Sequence, residues 1–236
     1  MQSQPPPDDP TRTVGSFEID SSLWWRKSGI WLVGLLAVIA CSFWLTGPTI
    51  IRSYKDEAQT EAISYARQIG LAFFEFESEY GKYPDANTAS PVRRKTDTSL
   101  SLGAKTSNDY FRQLIAAGIL QNEIVFYAKI NDCKKPDNRI GAGKALAKGE
   151  CGFSYLVGLS ADGNPSRSLL VTPLIPGTDR FDPTKFHGKA IVLRMDNSVT
   201  SMPINSDGYV MLNGINLLDP ANPIWGGEKP VIAWPE

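Results

Sequence analysis

The stretch GIWLVGLLAVIACSFWLTGPTII (residues 29–51) runs directly into RSYKDEAQTEAISYARQIGLAFFEFESEYGKYP (52–84), and its reading decides the fold. The first segment carries no charged side chain over 23 residues. A bilayer core of roughly 30 Å needs about 20 helical residues, so the run predicts a transmembrane helix. Trp24, Trp25, Trp31 and Trp44 sit at or near its ends, where amphipathic rings favour the interface. Arg26 and Lys27 precede it and Arg52 and Lys55 follow. Those flanks are nearly balanced and do not set the orientation.

In the second segment the apolar residues recur at helical spacing. Ile51, Tyr54, Ala58, Ala62, Tyr65, Ile69, Phe73, Phe76 and Tyr80 form one stripe, with most charged residues off it. Gly81 supplies a helix stop and Pro84 forbids continuation. The pattern predicts a single helix from about Gly29 to Tyr80, roughly 75 Å long at 1.5 Å per residue. Its first half wants lipid or other helices, and its second half wants a sheet, through Ile69, Phe73, Phe76 and Tyr80. Gly34 and Ala37 are small residues on the apolar half that would let neighbouring helices approach closely.

Outward from this core the organisation follows. Residues 1–28 read as a disordered arm on the cytoplasmic side, because Pro5-Pro6-Pro7-Asp8-Asp9-Pro10 suits neither helix nor central strand. Residues 29–51 span the membrane, 52–84 continue the helix, and 85–236 form a globular head. Within the head, residues 86–107 read as a solvated loop with a basic knot at Arg93-Arg94-Lys95. A short helix is expected over about 108–117, capped by Ser107 or Asn108 and ended by Gly118. Residues 123–130, 152–159, 168–171, 189–194, 198–204 and 208–212 are β-rich, with turn signals between them, including Asp196-Asn197. The fold class is α+β: a long N-terminal helix laid on an antiparallel sheet.

Composition excludes much. Twenty-four Lys+Arg against 25 Asp+Glu leave no basic footprint for nucleic acid. One histidine and three cysteines rule out multi-His and four-thiolate metal sites. His187 would have to serve any Ser-His-Asp triad, and no Gly-x-Ser-x-Gly elbow accompanies it. No catalytic residue, phosphate loop or cofactor is expected. Asp179, Asp182, Asp196, Asp207 and Asp219 are candidate oxygen ligands for Ca²⁺, though each also suits an Asx-turn, the preferred reading.

The cysteines carry two further expectations. Cys133 and Cys151 flank a Lys-, Gly- and Pro-rich stretch beyond the apolar run, which suggests a disulfide; closing such a loop would add about 3 kcal/mol. The alternative is two reduced cysteines. A bridge would require an oxidising side for the head. Val38-Ile39-Ala40-Cys41 fits a loose lipobox, so Cys41 is a candidate lipidation site, with a plain membrane-buried cysteine as the alternative.

The apolar helix interrupted at Pro48, then Ala66-Arg67-Gln68-Ile69-Gly70-Leu71-Ala72, then Phe76-Glu77-Ser78-Glu79-Tyr80-Gly81-Lys82-Tyr83-Pro84, resembles the type IV pilin-like proteins, close to the pseudopilins of type II secretion. Gly188 to Leu193 and Asp196 to Val199 look like the hairpin of pilin-like proteins common in Verrucomicrobia and Planctomycetes. The resemblance implies a structural subunit of a type II secretion or type IV pilus-type assembly. It would sit singly spanning a bacterial inner membrane, its head periplasmic or extracellular. Its partners would be other pilin-like subunits, inner-membrane assembly proteins and lipid. It also implies leader cleavage between Gly29 and Ile30, with Glu at the fifth mature position, where this chain has Gly34. That departure leaves a minor tip subunit and an uncleaved single-pass descendant both open. A membrane-anchored binding or sensory module outside any filament is the competing expectation.

Overall fold

The computed structural model describes residues 21–130, 133–141 and 144–236, with side chains described for 34–39 and from 56 onward. The chain divides into two units, Met1–Ile50 and Ile51–Glu236. Helix α1 is assigned over Ser21–Tyr80. The assignment begins inside the segment expected to be an arm and runs on through Pro48, where proline would loosen or kink a helix. Residues 1–20 lie outside the described residues.

The second unit is α+β. Strands β1 (Ser154–Val157), β2 (Ser168–Thr172), β3 (Lys189–Arg194), β4 (Val199–Pro203) and β7 (Val231–Ala233) form a five-stranded antiparallel sheet in the order β4-β3-β2-β1-β7. Four consecutive strands thus form a meander, and the C-terminal strand closes on β1. β5 (Met211–Leu212) and β6 (Ile215–Asn216) make a separate short hairpin.

Both sheet faces are covered, and the pleat shows how. Tyr155, Leu170, Ile191 and Leu193 enter one core; their neighbours Leu156, Val171, Ala190 and Val192 enter another. An irregular register between Ser168 and Leu170 lets Leu169 join Leu170 on the first face. That face meets α1 and helix α3 (Ser107–Ala116), which supply Ile69, Phe73, Phe76, Phe111 and Leu114, all fully buried. The opposite face is covered by irregular chain carrying Phe181, Val210, Leu217 and Trp225. Trp225 donates its indole N–H to the Leu217 carbonyl at 2.7 Å, so the ring is buried without an unpaired donor.

Several elements differ from the sequence reading. Residues 86–107 include an eight-residue helix, α2 (Ala89–Thr96), whose last turn holds Arg93, Arg94 and Lys95 where cations complement the helix dipole. Lys95 pairs with Glu79 at 2.7 Å and lies over the Tyr80 ring. Residues 123–130 are not a strand: Asn122 accepts the Ile124 N–H and starts a 3-10 turn, Glu123–Phe126. The cap of α3 is Thr106, one residue earlier than expected. Its side chain accepts the Asp109 N–H while Asp109 accepts the Thr106 N–H, a reciprocal capping box.

Candidate functional site

The apolar half of α1 is described at residues 34–39, the first-unit positions whose side chains are described. Gly34, Leu35, Leu36, Ala37, Val38 and Ile39 are consecutive and all exposed. Leu35, Leu36, Val38 and Ile39 are between 52% and 64% exposed, and nothing lies within 4 Å of a Cβ placed on Gly34. Six consecutive helical residues cover every face of the helix, so no side is polar. Among the described residues no helix is long and apolar enough to cross a membrane. Most of the 29–51 run, with Gly29, Ile30 and Cys41, falls outside the described side chains.

The polar half of α1 docks as a rod on the head. Ala58, Ala62 and Ala66 are buried at four-residue spacing and lead to Gly70, so the early turns present only small side chains inward. A Cβ on Gly70 would stand 2.0 Å from Asn197 Oδ1 at the β3–β4 turn, so the absent side chain sets how closely helix and hairpin approach. Next to it Ile69, and beyond it Phe73 and Phe76, are fully buried. Phe73 lies at the centre, its ring 5.0 Å from Tyr155 and 5.6 Å from Tyr83. Tyr80 is half-buried and stacks on Phe76 at 4.5 Å. Tyr65, expected on the stripe, stands at its rim and donates to Glu61 at 3.0 Å; Ala66 and Ala72 take the inner positions.

The exit from this helix is clamped. Gly81 adopts φ +81°, the left-handed geometry of a helix C-terminus, and donates its N–H to Glu77 at 2.7 Å. Tyr83 is buried and Tyr155 donates its hydroxyl to the Pro84 carbonyl at 3.0 Å. Burial pushes the Tyr155 hydroxyl well above its ordinary pKa, so it stays a donor. Asp85 then accepts the Asn87 and Thr88 N–H groups at 2.7 and 2.8 Å and pairs with Lys82 at 2.7 Å. Burial alone would raise its carboxyl, but these hydrogen bonds hold it below the ordinary range. Gln113 of α3 donates to the Asp85 carbonyl and accepts from Thr88, tying the exit turn to the next helix.

Other predicted residues are placed apart from this joint. His187 has φ +56° and presents Nε2 to Asp56 Oδ1 at 3.1 Å, bringing the turn before β3 to α1. The sequence reading treats it as a loop residue; a long-range contact of this kind leaves no local signal. Asp182, Asp196 and Asp219 accept the N–H groups of Thr184, Ser198 and Ala221, each closing its own Asx-turn. Asp179 accepts from Asn216. Among the described residues no three metal-type side chains come together. Cys133 and Cys151, expected to be bridged, are both free thiols in this structure, Cys133 half-buried and Cys151 buried.

A groove of about 710 Å³ runs along the outer edge of β7. Val231, Ile232 and Trp234 line one side, Leu218 and Asp219 another, and Thr178 and Asp179 close it. Trp234 donates its indole N–H to the Thr178 carbonyl at 3.0 Å, and Val231 is 63% exposed. Nothing in the sequence reading pointed to this groove, because β7 and the 177–179 turn meet only in the fold. No family model, curated protein or solved structure matches this chain.

Proposed function

We propose that this chain is a structural, membrane-anchored pilin-like subunit, of the kind found in type II secretion or type IV pilus-type assemblies. The observation that carries the reading is the helical run 34–39, apolar on every face and exposed, in a chain whose head covers both faces of its own sheet. An apolar surface of that kind is stable in lipid or against other such helices. The clamped exit turn and the deep docking of residues 58–76 make that part of the helix integral to the head. In this reading residues 29–51 span the membrane, and the partners are neighbouring helices and lipid. Gly34 stands where the family's assembling subunits carry Glu, so the chain is a minor component rather than the bulk of a filament.

The test combines two readouts. N-terminal sequencing of the membrane-extracted protein separates starts at Ile30, Met1 and Cys41, which correspond to a processed subunit, an uncleaved anchor and a lipidated form. Gly34→Leu with Ala37→Leu should cut in-membrane crosslinking between subunits or to partner helices several-fold while leaving the head folded. Unchanged crosslinking would remove the assembly role.

A second reading, a single-pass anchored binding module acting alone, is favoured by the β7-edge groove. It is separated from the first by the same crosslinking: a lone anchor gives no helix-specific products.

A further inference from the structure

The 134–150 loop closes on itself at its base, and its two cysteines stand at that base. Lys134 donates its N–H to the Gly149 carbonyl at 2.6 Å, which brings the two ends of the loop together. Both flanks are then fixed to one short segment. Cys133 donates its N–H to Ile130 at 3.0 Å, and Gly152 donates to Phe126 at 2.9 Å. Gly152 lies so close to Ala128 that a Cβ there would stand 2.8 Å from the Ala128 nitrogen. The Ala128 backbone is also hydrogen-bonded to the Cys133 thiol. One residue, Ala128, is thus a common neighbour of both arms.

Among its described residues the loop contains no helix or strand. What it does is hold other elements. Arg112 donates to the Ala145 and Leu146 carbonyls at 2.8 and 2.9 Å, and Asn108 donates to Leu146 and Ala147. Asn138 accepts the Glu123 N–H at 3.0 Å, and Gly149 donates to the Glu236 carbonyl at 3.0 Å. The loop therefore links α3, the 3-10 turn and the C-terminus by polar bonds, and among its described residues only Ala145 and Leu146 are buried apolar side chains. Long irregular loops held this way open easily.

We propose that Cys133 and Cys151 are an oxidisable pair that staples the base of this loop, with Cys133 as the entry thiol and Cys151 as the resolving one. The assignment of roles follows exposure: Cys133 is half-buried, whereas Cys151 is buried, with Ser107 Oγ at 3.7 Å and the Phe153 carbonyl at 3.4 Å from its sulfur. The co-reactant is a disulfide such as oxidised glutathione. The Cys133 thiolate attacks one of its sulfurs, breaks the S–S bond and expels the first glutathione thiolate, leaving a mixed disulfide. The Cys151 thiolate then attacks Cys133 Sγ and expels the second glutathione. Two protein thiols are oxidised by two electrons, their two protons end on the two glutathiones, and one external disulfide is reduced. Burial pushes the two thiols up to about 11 and about 12, so uncatalysed exchange is slow at neutral pH and accelerates roughly tenfold per pH unit as thiolate forms. The proposal does not depend on the pilin-like reading.

The test uses the full chain, purified reduced in detergent, with and without oxidised glutathione at pH 8.5. Each sample is alkylated in denaturant and digested. The expected product is a single linked pair of peptides containing Cys133 and Cys151. Lys134, Lys135, Arg139, Lys144 and Lys148 lie inside the loop. Brief trypsin treatment of the folded oxidised protein should therefore give a nicked chain that runs intact without reductant and as two pieces with it. The first nick should also come several-fold more slowly than in the reduced protein. Cys133→Ser, at the more exposed position, should fold, stay unlinked and lose the slowing. Cys41→Ser should retain both. A mixed disulfide that stops at Cys133, linkage through Cys41, or complete alkylation of both thiols would each overturn the proposal.

Discussion

Replacing Phe73 with alanine is the sharpest test of how α1 is held. The ring is fully buried and sits among Tyr155, Tyr83 and Phe111, with centroids at 5.0, 5.6 and 6.1 Å. Truncating a buried phenylalanine costs about 3–5 kcal/mol through lost transfer free energy and the cavity left behind. Aromatic pairs add about 0.5–1.5 kcal/mol each beyond area, and two aromatic neighbours here, Tyr83 and Tyr155, are themselves buried, Tyr155 also being held by its hydroxyl on the Pro84 carbonyl, so the site collapses poorly. The upper part of the range, about 4–5 kcal/mol, is expected. The adjacent Phe74 is half-buried and meets Tyr83 only edge-on at 6.1 Å, so Phe74→Ala should cost about 1–2 kcal/mol. Urea unfolding of the Ile51–Glu236 fragment, followed by tryptophan fluorescence, measures both. For a domain of this size about 2–4 °C in Tm accompanies each kcal/mol, so the two variants should separate by several degrees. Equal losses, or a Phe73 effect below about 2 kcal/mol, would mean that the helix is not seated through this ring.

Two further outcomes are expected. Gly152→Ala should destabilise the same fragment by about 1–3 kcal/mol, because the added methyl meets the backbone nitrogen and Cβ of Ala128 rather than a movable side-chain end; an unchanged urea midpoint would contradict that contact. Glu123 is buried, accepts the Leu146 N–H through Oε1 and has no partner on Oε2; burial outweighs that hydrogen bond and raises its carboxyl pKa. The folded state therefore holds this proton more tightly than the unfolded chain does, and stability falls as pH rises from about 4.3 through the raised folded value, then levels off. Glu123→Gln should remove that fall, so its urea midpoint should gain on the native protein between pH 4 and 7; a constant difference would refute the assignment.

How far the sequence could be read depended on where each element found its partners. β3 was legible to the residue, because Ala190, Ile191, Val192 and Leu193 are an apolar run with β-branched Ile191 and Val192 at its centre, ended by the Asp196-Asn197 turn, whose Asn197 adopts φ +62°. The docked part of α1 was legible because four-residue spacing survives any context. α2 was not: Pro91 and three basic residues read as loop, and the helix buries only Val92, its contacts lying with Glu79 and Tyr80 of another element. β7 was invisible for a related reason. The four residues between Pro230 and Pro235 are too few to carry a periodicity, and the pairing of Val231–Ala233 with β1 lies far away in the chain. The same distance hid the β7-edge groove and the His187–Asp56 contact.

What the structure adds to the functional argument is the far side of the sheet. An antiparallel sheet with a helix on one face leaves the other to water or to a partner. Here that face is filled from within by Phe181, Val210, Leu217 and Trp225. Arg167 reinforces this cover, donating to the Ile224 and Trp225 carbonyls at 2.9 and 3.0 Å with its guanidinium over the Trp225 ring. The head therefore does not need a neighbour to complete its core. Its large exposed apolar residues are scattered singly, as Leu71, Ile140, Ile175, Met211 and Val231, and single exposed apolar residues are ordinary on any surface. The contiguous demand for cover lies instead at Leu35, Leu36, Val38 and Ile39. Under the proposed pilin-like reading, this run is the surface through which the chain would associate, and the head would set which neighbours fit.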